Sequence, residues 1–88
     1  MSELCKILLV GQELLGVDRS AEYLRSRLDV SPATLKRYIE ELRHLGCRVI
    51  SVRNPGGWVY RLENAEQVVE RLSTWLRLER QRTLLGPI

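Results

Sequence analysis

The sequence has little with which to build a reactive centre. Two cysteines, Cys5 and Cys47, and one histidine, His44, supply all of its thiol and imidazole groups. That set is too small for a structural zinc site. No Ser/His/Asp grouping, phosphate loop or metal cluster can be assembled around it, so no catalytic residue, metal or cofactor is expected, and the protein is not read as an enzyme. Nothing beside either cysteine lowers a thiol pKa, and a lone disulfide without a secretion signal is not expected, so both thiols are read as reduced. No run of about eighteen apolar residues occurs, which excludes a membrane-spanning helix. Glu3 stands early, and no basic stretch leads into a small-residue cleavage site. No signal peptide is therefore expected, and the location is read as cytoplasmic, on the nucleoid. Repeats and low-complexity linkers are also lacking.

What is there fits one small domain: 88 residues can bury one modest core. The net charge of +3 is unevenly spread. Residues 19–53 hold eight Lys/Arg against four acids, while residues 1–18 set Lys6 against Glu3, Glu13 and Asp18. A basic middle is compatible with a polyanionic partner.

Periodicity divides the chain. Leu4, Ile7, Leu8, Leu14 and Leu15 predict a first helix over 3–15, weakened at Gly11 and ended at Gly16. "GVDR" reads as a turn. Ser20 caps a short second helix over 20–28, with Ala21, Leu24 and Leu28 inward. A tight turn at Asp29 follows. Ser31 and Pro32 then start a third helix, and Gly46 ends it. Leu35, Ile39 and Leu42 define its inner face, with Tyr38 and Leu45 on the flank. Ala33, Lys36, Arg37, Glu40 and His44 lie opposite.

Beyond Gly46 the period becomes two. "CRVISVRN" and "WVYRLE" read as strands joined at "NPGG", a β-hairpin with Trp58, Tyr60 and Leu62 on one face. Trp58 is expected to lie over the core. Asn64 with Gln67 resembles a capping box opening a last helix over about 65–82. "TLLGPI" reads as a frayed tail.

Two helices, a tight turn, a third helix and a hairpin make a winged helix-turn-helix. The expected class is α+β, mainly α: three helices, a two-stranded wing and a C-terminal helix. Residues 1–63 are assigned to the DNA-binding domain and 64–88 to the last helix and tail. Val30, Ser31, Thr34, Arg37, Ile39, Leu42 and Gly46, followed by Gly56, Gly57, Tyr60, Arg61 and Leu62, form a block that resembles the N-terminal winged helix of bacterial WYL-domain regulators and DeoR-type repressors. In outline it is also similar to the DNA-binding domain of the biotin repressor. The resemblance covers residues 3–63 and implies sequence-specific binding of double-stranded DNA in transcriptional control; the leading reading is a dimeric repressor. Three positions depart from the pattern: Arg25 near the helix crossing, Asp29 for the usual turn glycine, and Trp58-Val59 inside the wing.

The expected DNA-binding residues are Ser31, Pro32, Ala33, Thr34, Lys36 and Arg37 on the third helix, with Arg53, Asn54 and Gly56 on the wing. The small Ala33 suits close approach to a base edge or thymine methyl. Val68, Leu72, Trp75 and Leu76 share one face of the last helix, and a homodimer is expected through them on an inverted-repeat operator. Docking of that helix onto the first helix of the same chain is the alternative for this face. The rival function is a winged-helix assembly module without DNA binding. A third reading is the DNA-binding arm of a larger effector-sensing protein.

Overall fold

The computed structural model describes residues 2–85, with side chains through residue 82. Seven elements follow in order: α1 (Glu3–Glu13), β1 (Arg19–Ser20), α2 (Ala21–Leu28), α3 (Pro32–His44), β2 (Val49–Asn54), β3 (Gly57–Leu62) and α4 (Ala65–Leu85). The fold is α+β and mainly helical.

Serines start the first three helices. The Oγ atoms of Ser2, Ser20 and Ser31 accept hydrogen bonds from the backbone N–H of Cys5, Tyr23 and Thr34, each satisfying a donor that the first turn leaves free. Pro32 occupies the first turn of α3, where its missing N–H costs nothing. Asp29 ends α2 in the left-handed region at φ 54° and turns the chain into α3. Gly46, at φ 95°, follows α3 in a conformation that side chains disfavour.

The apolar faces of all four helices meet in one core. Leu8 and Val10 of α1 and Leu14 just after it pack with Leu24 of α2, Leu35 and Leu42 of α3, and Leu72 of α4, all essentially fully buried. At Gly11, α1 packs directly against side chains of α3 and α4. A Cβ there would lie 3.1 Å from methyl carbons of both Leu42 and Leu72. The glycine that weakens the helical pattern of α1 thus permits close packing.

Four features differ from the sequence reading. First, the sheet has three antiparallel strands in the order β1-β3-β2, not two. Arg19 and Ser20, read as turn and cap, pair with Tyr60 and Val59 across the free edge of β3. Second, Trp58 is 63% exposed. Leu62 and Tyr60 on the same strand face pack on the core, but each pair of residues advances about 7 Å, so Trp58 lies beyond the reach of the helices. Third, the Asn64 side chain does not cap α4. Its Nδ2 donates to the Gly46 carbonyl and its Oδ1 accepts from the Arg48 N–H, tying the α3–β2 turn to the start of α4. Fourth, α4 continues through Leu85, into the expected tail; residues 86–88 of that tail lie outside the described residues.

The placement of α4 also corrects the expected dimer face. Val68, Leu72 and Leu76 are 1%, 1% and 2% exposed within the single chain. They pack in the same core as α1, and Trp75 lies half-buried beside them. The bond from Ser2 Oγ to Glu79 Oε1 (2.8 Å) and the approach of Leu72 to Gly11 show that α1 and α4 run antiparallel. The amphipathic stripe is covered because α1, rich in leucine, presents a matching face nearby.

Candidate nucleic-acid interface

α3 has one buried and one exposed side. Leu35, Tyr38, Ile39 and Leu42 hold it to the core, at the roughly 100° per residue advance of a helix. Pro32, Ala33, Lys36, Arg37, Glu40, Glu41, Arg43 and His44 are exposed. The packing that fixes α3 therefore turns its charged face outward. Ser31, Pro32 and Ala33 are exposed at its start, and Thr34 is half-buried with its hydroxyl hydrogen-bonded to Ser31 (3.0 Å).

Lys36 and Arg37 differ in their partners. Lys36 has no ion-pair partner among the described residues. Arg37 pairs with Glu3 at the start of α1, and its guanidinium lies 5.7 Å from the Tyr38 ring centroid. Glu3 and Arg37 are both largely exposed, so water and salt compete for this pair. The sequence reading missed the contact because it joins residues 34 apart. It also missed the role of Arg43. Nε and Nη2 of Arg43 donate to the Val49 carbonyl at 3.1 and 3.0 Å, while Nη1 pairs with Glu40. Arg43 thus fastens α3 to the base of the hairpin and steadies a carboxylate on the exposed face. The i, i+3 spacing of Glu40 and Arg43 was the available signal.

The wing residues form a second group. β2 and β3 pair from Val49↔Leu62 to Asn54↔Gly57, leaving Pro55 and Gly56 at the tip. Asn54 Oδ1 accepts from the Gly56 N–H at 2.9 Å, so its side chain shapes the turn. Gly57 has φ 123°. Arg53 stands opposite Trp58 on the ladder, with its guanidinium 6.0 Å from the ring centroid. This exposed cation and ring sit at the tip. Among the described residues no hydrogen bond or ion pair joins the wing group to Lys36 or Arg37.

α2 and the sheet are held by a separate set of charges. Glu13 receives Tyr23 Oη at 3.1 Å and lies 3.4 Å from Arg27 Nε and 3.9 Å from Arg19. Arg19, stacked 4.4 Å over Tyr23, also donates to the Glu13 carbonyl. Arg19 and Arg27 are thus engaged within the fold. Asp18 accepts a forked bond from Arg61, whose hydrogen bonding and charge hold its carboxyl below the usual range against a smaller opposing effect of burial. Arg25 is half-buried at the edge of α2, and its buried Nε has no hydrogen-bond partner among the described residues. Burial raises the Cys47 thiol pKa, with the charge of Arg71 opposing, so this cysteine is held as a thiol.

No group of three or more metal-ligating side chains occurs among the described residues, and no described helix is long and apolar enough to cross a membrane. The arrangement offers an exposed helix bearing cations beside a protruding hairpin, which defines a helix-turn-helix of winged-helix-like form.

A family model described as an HTH domain matches residues 12–59, from the end of α1 into β3. It covers more than half of the chain, and the protein belongs to this helix-turn-helix family. Membership points to a DNA-binding regulator rather than an enzyme. No curated protein and no solved structure matches the chain.

Proposed function

We propose that the protein is a sequence-specific, double-stranded DNA-binding transcriptional repressor, related to the WYL-domain and DeoR-type regulators, that acts on the nucleoid in the cytoplasm. α3 enters the major groove, which is about 12 Å wide and admits a helix. Lys36 and Arg37 meet phosphates and base edges, and Ala33 allows close approach. The N–H of Ala33, the first-turn donor that the Ser31 cap does not take up, meets a phosphate. The wing, with Arg53, Asn54 and Gly56, lies on the backbone or in the minor groove, where Trp58 packs against sugars. The observation that carries this reading is the outward face of α3, whose cations have no place in the core. Bound across a promoter, such a domain represses by occlusion.

The protein acts as a homodimer on an inverted repeat, with half-sites about 34 Å apart. With Val68, Leu72 and Leu76 inside the core, the contact is assigned to Trp75 and the exposed Leu4 and Leu78. These line a groove of about 380 Å³ between α1 and α4, rimmed by Glu79 and Arg82. The exposed apolar side chains of Leu4 and Leu78 are suited to pairing with their own copies about a two-fold axis. Sedimentation equilibrium with Leu78→Glu tests this: the wild type dimerises and the variant, altered at an exposed position, does not. A monomeric wild type at micromolar concentration removes the dimer from the proposal. The same groove favours the second reading, an assembly module. That reading takes the lead if duplex DNA is not bound and a partner protein is, without salt dependence.

A further inference from the structure

A carboxylate stands on the face of α3 that would meet a polyanion. Glu40 is exposed, its side chain 58% accessible, and it lies one helical turn beyond Lys36 and Arg37. Ala33, Lys36, Arg37 and Glu40 follow the i, i+3, i+4, i+7 spacing with which a helix in the major groove presents side chains to successive base pairs. Near phosphates a carboxylate is repelled, so an acid on this face needs a donor at the floor of the groove. Base edges there offer two amino donors, cytosine N4 and adenine N6. Adenine presents its donor beside the N7 acceptor, which an acceptor-only group meets unfavourably. Cytosine offers no such acceptor.

Arg43 adds the second observation. Anchored by two bonds to the Val49 carbonyl, it holds Glu40 with its remaining fork nitrogen. The carboxylate is thereby oriented and partly neutralised before any ligand arrives, with its other oxygen free of any hydrogen bond among the described residues. A solvated surface glutamate does not require an arginine fixed to a strand.

We propose that Glu40, positioned by Arg43, is a specificity-determining residue that selects cytosine at one position of each half-site by accepting from its N4 amino group. This rests on α3 entering the major groove. It adds that part of the specificity comes from an acid and that the base read is named in advance.

The test is selection from a random duplex library with the full chain as wild type, Glu40→Ala and Glu40→Gln. The wild type should enrich a motif containing a cytosine preferred by roughly 5- to 150-fold, the range of a good side chain–base pair. Glu40→Ala should lose that preference alone and bind scrambled duplex somewhat more tightly, having shed a repelling charge. Glu40→Gln should move the preference to adenine, whose N6 and N7 suit an amide. Arg43→Lys should weaken the cytosine preference when Glu40 is present and have no effect on that position when it is alanine; a merely structural Arg43 would alter both backgrounds alike. If the wild type enriches a motif that Glu40→Ala reproduces unchanged, the inference is overturned while DNA binding stands. If the wild type enriches no motif, the DNA-binding proposal fails and this inference with it.

Discussion

Asp18 and Arg61 join the loop before β1 to β3 through a forked ion pair. Because folding lowers the Asp18 pKa, the pair stabilises the protein above the ordinary carboxylate range, and that contribution is lost as pH falls through the folded-state value. Asp18→Asn should therefore melt below the wild type at neutral pH, and the gap should close as pH falls below the ordinary carboxylate range. A gap unchanged with pH would mean that the charge does not matter. Arg25 leads to a prediction of the opposite sign. Its buried Nε has no hydrogen-bond partner among the described residues, so Arg25→Met removes an unsatisfied donor and keeps the apolar stem. Stability should rise by about 1 kcal/mol, a melting temperature roughly 4–8 °C higher. Glu3 is expected to restrain Arg37 in the free protein. Glu3→Gln should tighten DNA binding at low salt by a few-fold, an effect that shrinks as salt screens the pair.

At the scale of elements, Gly11 shows how helix and packing preferences compete. Gly11→Ala would gain roughly 1 kcal/mol of helix propensity and force apart Leu42 and Leu72, both fully buried. Overpacking of this kind costs about 1–3 kcal/mol, which offsets that gain, so the variant should melt no higher than the wild type. The elements most legible in the sequence are α2 and α3. Local chemistry defines them: serine caps, Pro32 at a first turn, and apolar residues at helical spacing. β1 was not legible, because two residues carry no period and their pairing with Tyr60 and Val59 depends on a strand 40 positions away. The fate of α4 was not legible either. Its apolar stripe says that something covers it, and only the placement of α1 says that the same chain does. The exposure of Trp58 depends on how far the hairpin reaches past the helices, which strand alternation does not encode. For the candidate site, the exposed cations of α3 could be read from the side opposite Leu35, Ile39 and Leu42. Their unequal partners could not, since Glu3 and Val49 reach them only through the fold.

Over the whole molecule, α4 shares the core with the helix-turn-helix. Truncation after residue 63 should leave an unfolded chain, because Val68, Leu72 and Leu76 close the core over α1. Leu72→Ala should cost about 2–5 kcal/mol in denaturant unfolding, a large part of the stability of so small a domain. The DNA-binding role proposed for α3 rests on its outward face. Its most direct test is a titration of wild type, Lys36→Ala and Arg37→Ala against a selected and a scrambled duplex at several salt concentrations, with folding checked by circular dichroism. The wild type should prefer the selected duplex and weaken steeply with salt. Arg37→Ala should lose about 1–3 kcal/mol on the selected duplex and relax specificity at one position, while Lys36→Ala should weaken both duplexes alike and reduce the salt slope by about one. If both folded variants bind both duplexes as the wild type does, α3 does not read DNA and the account is contradicted.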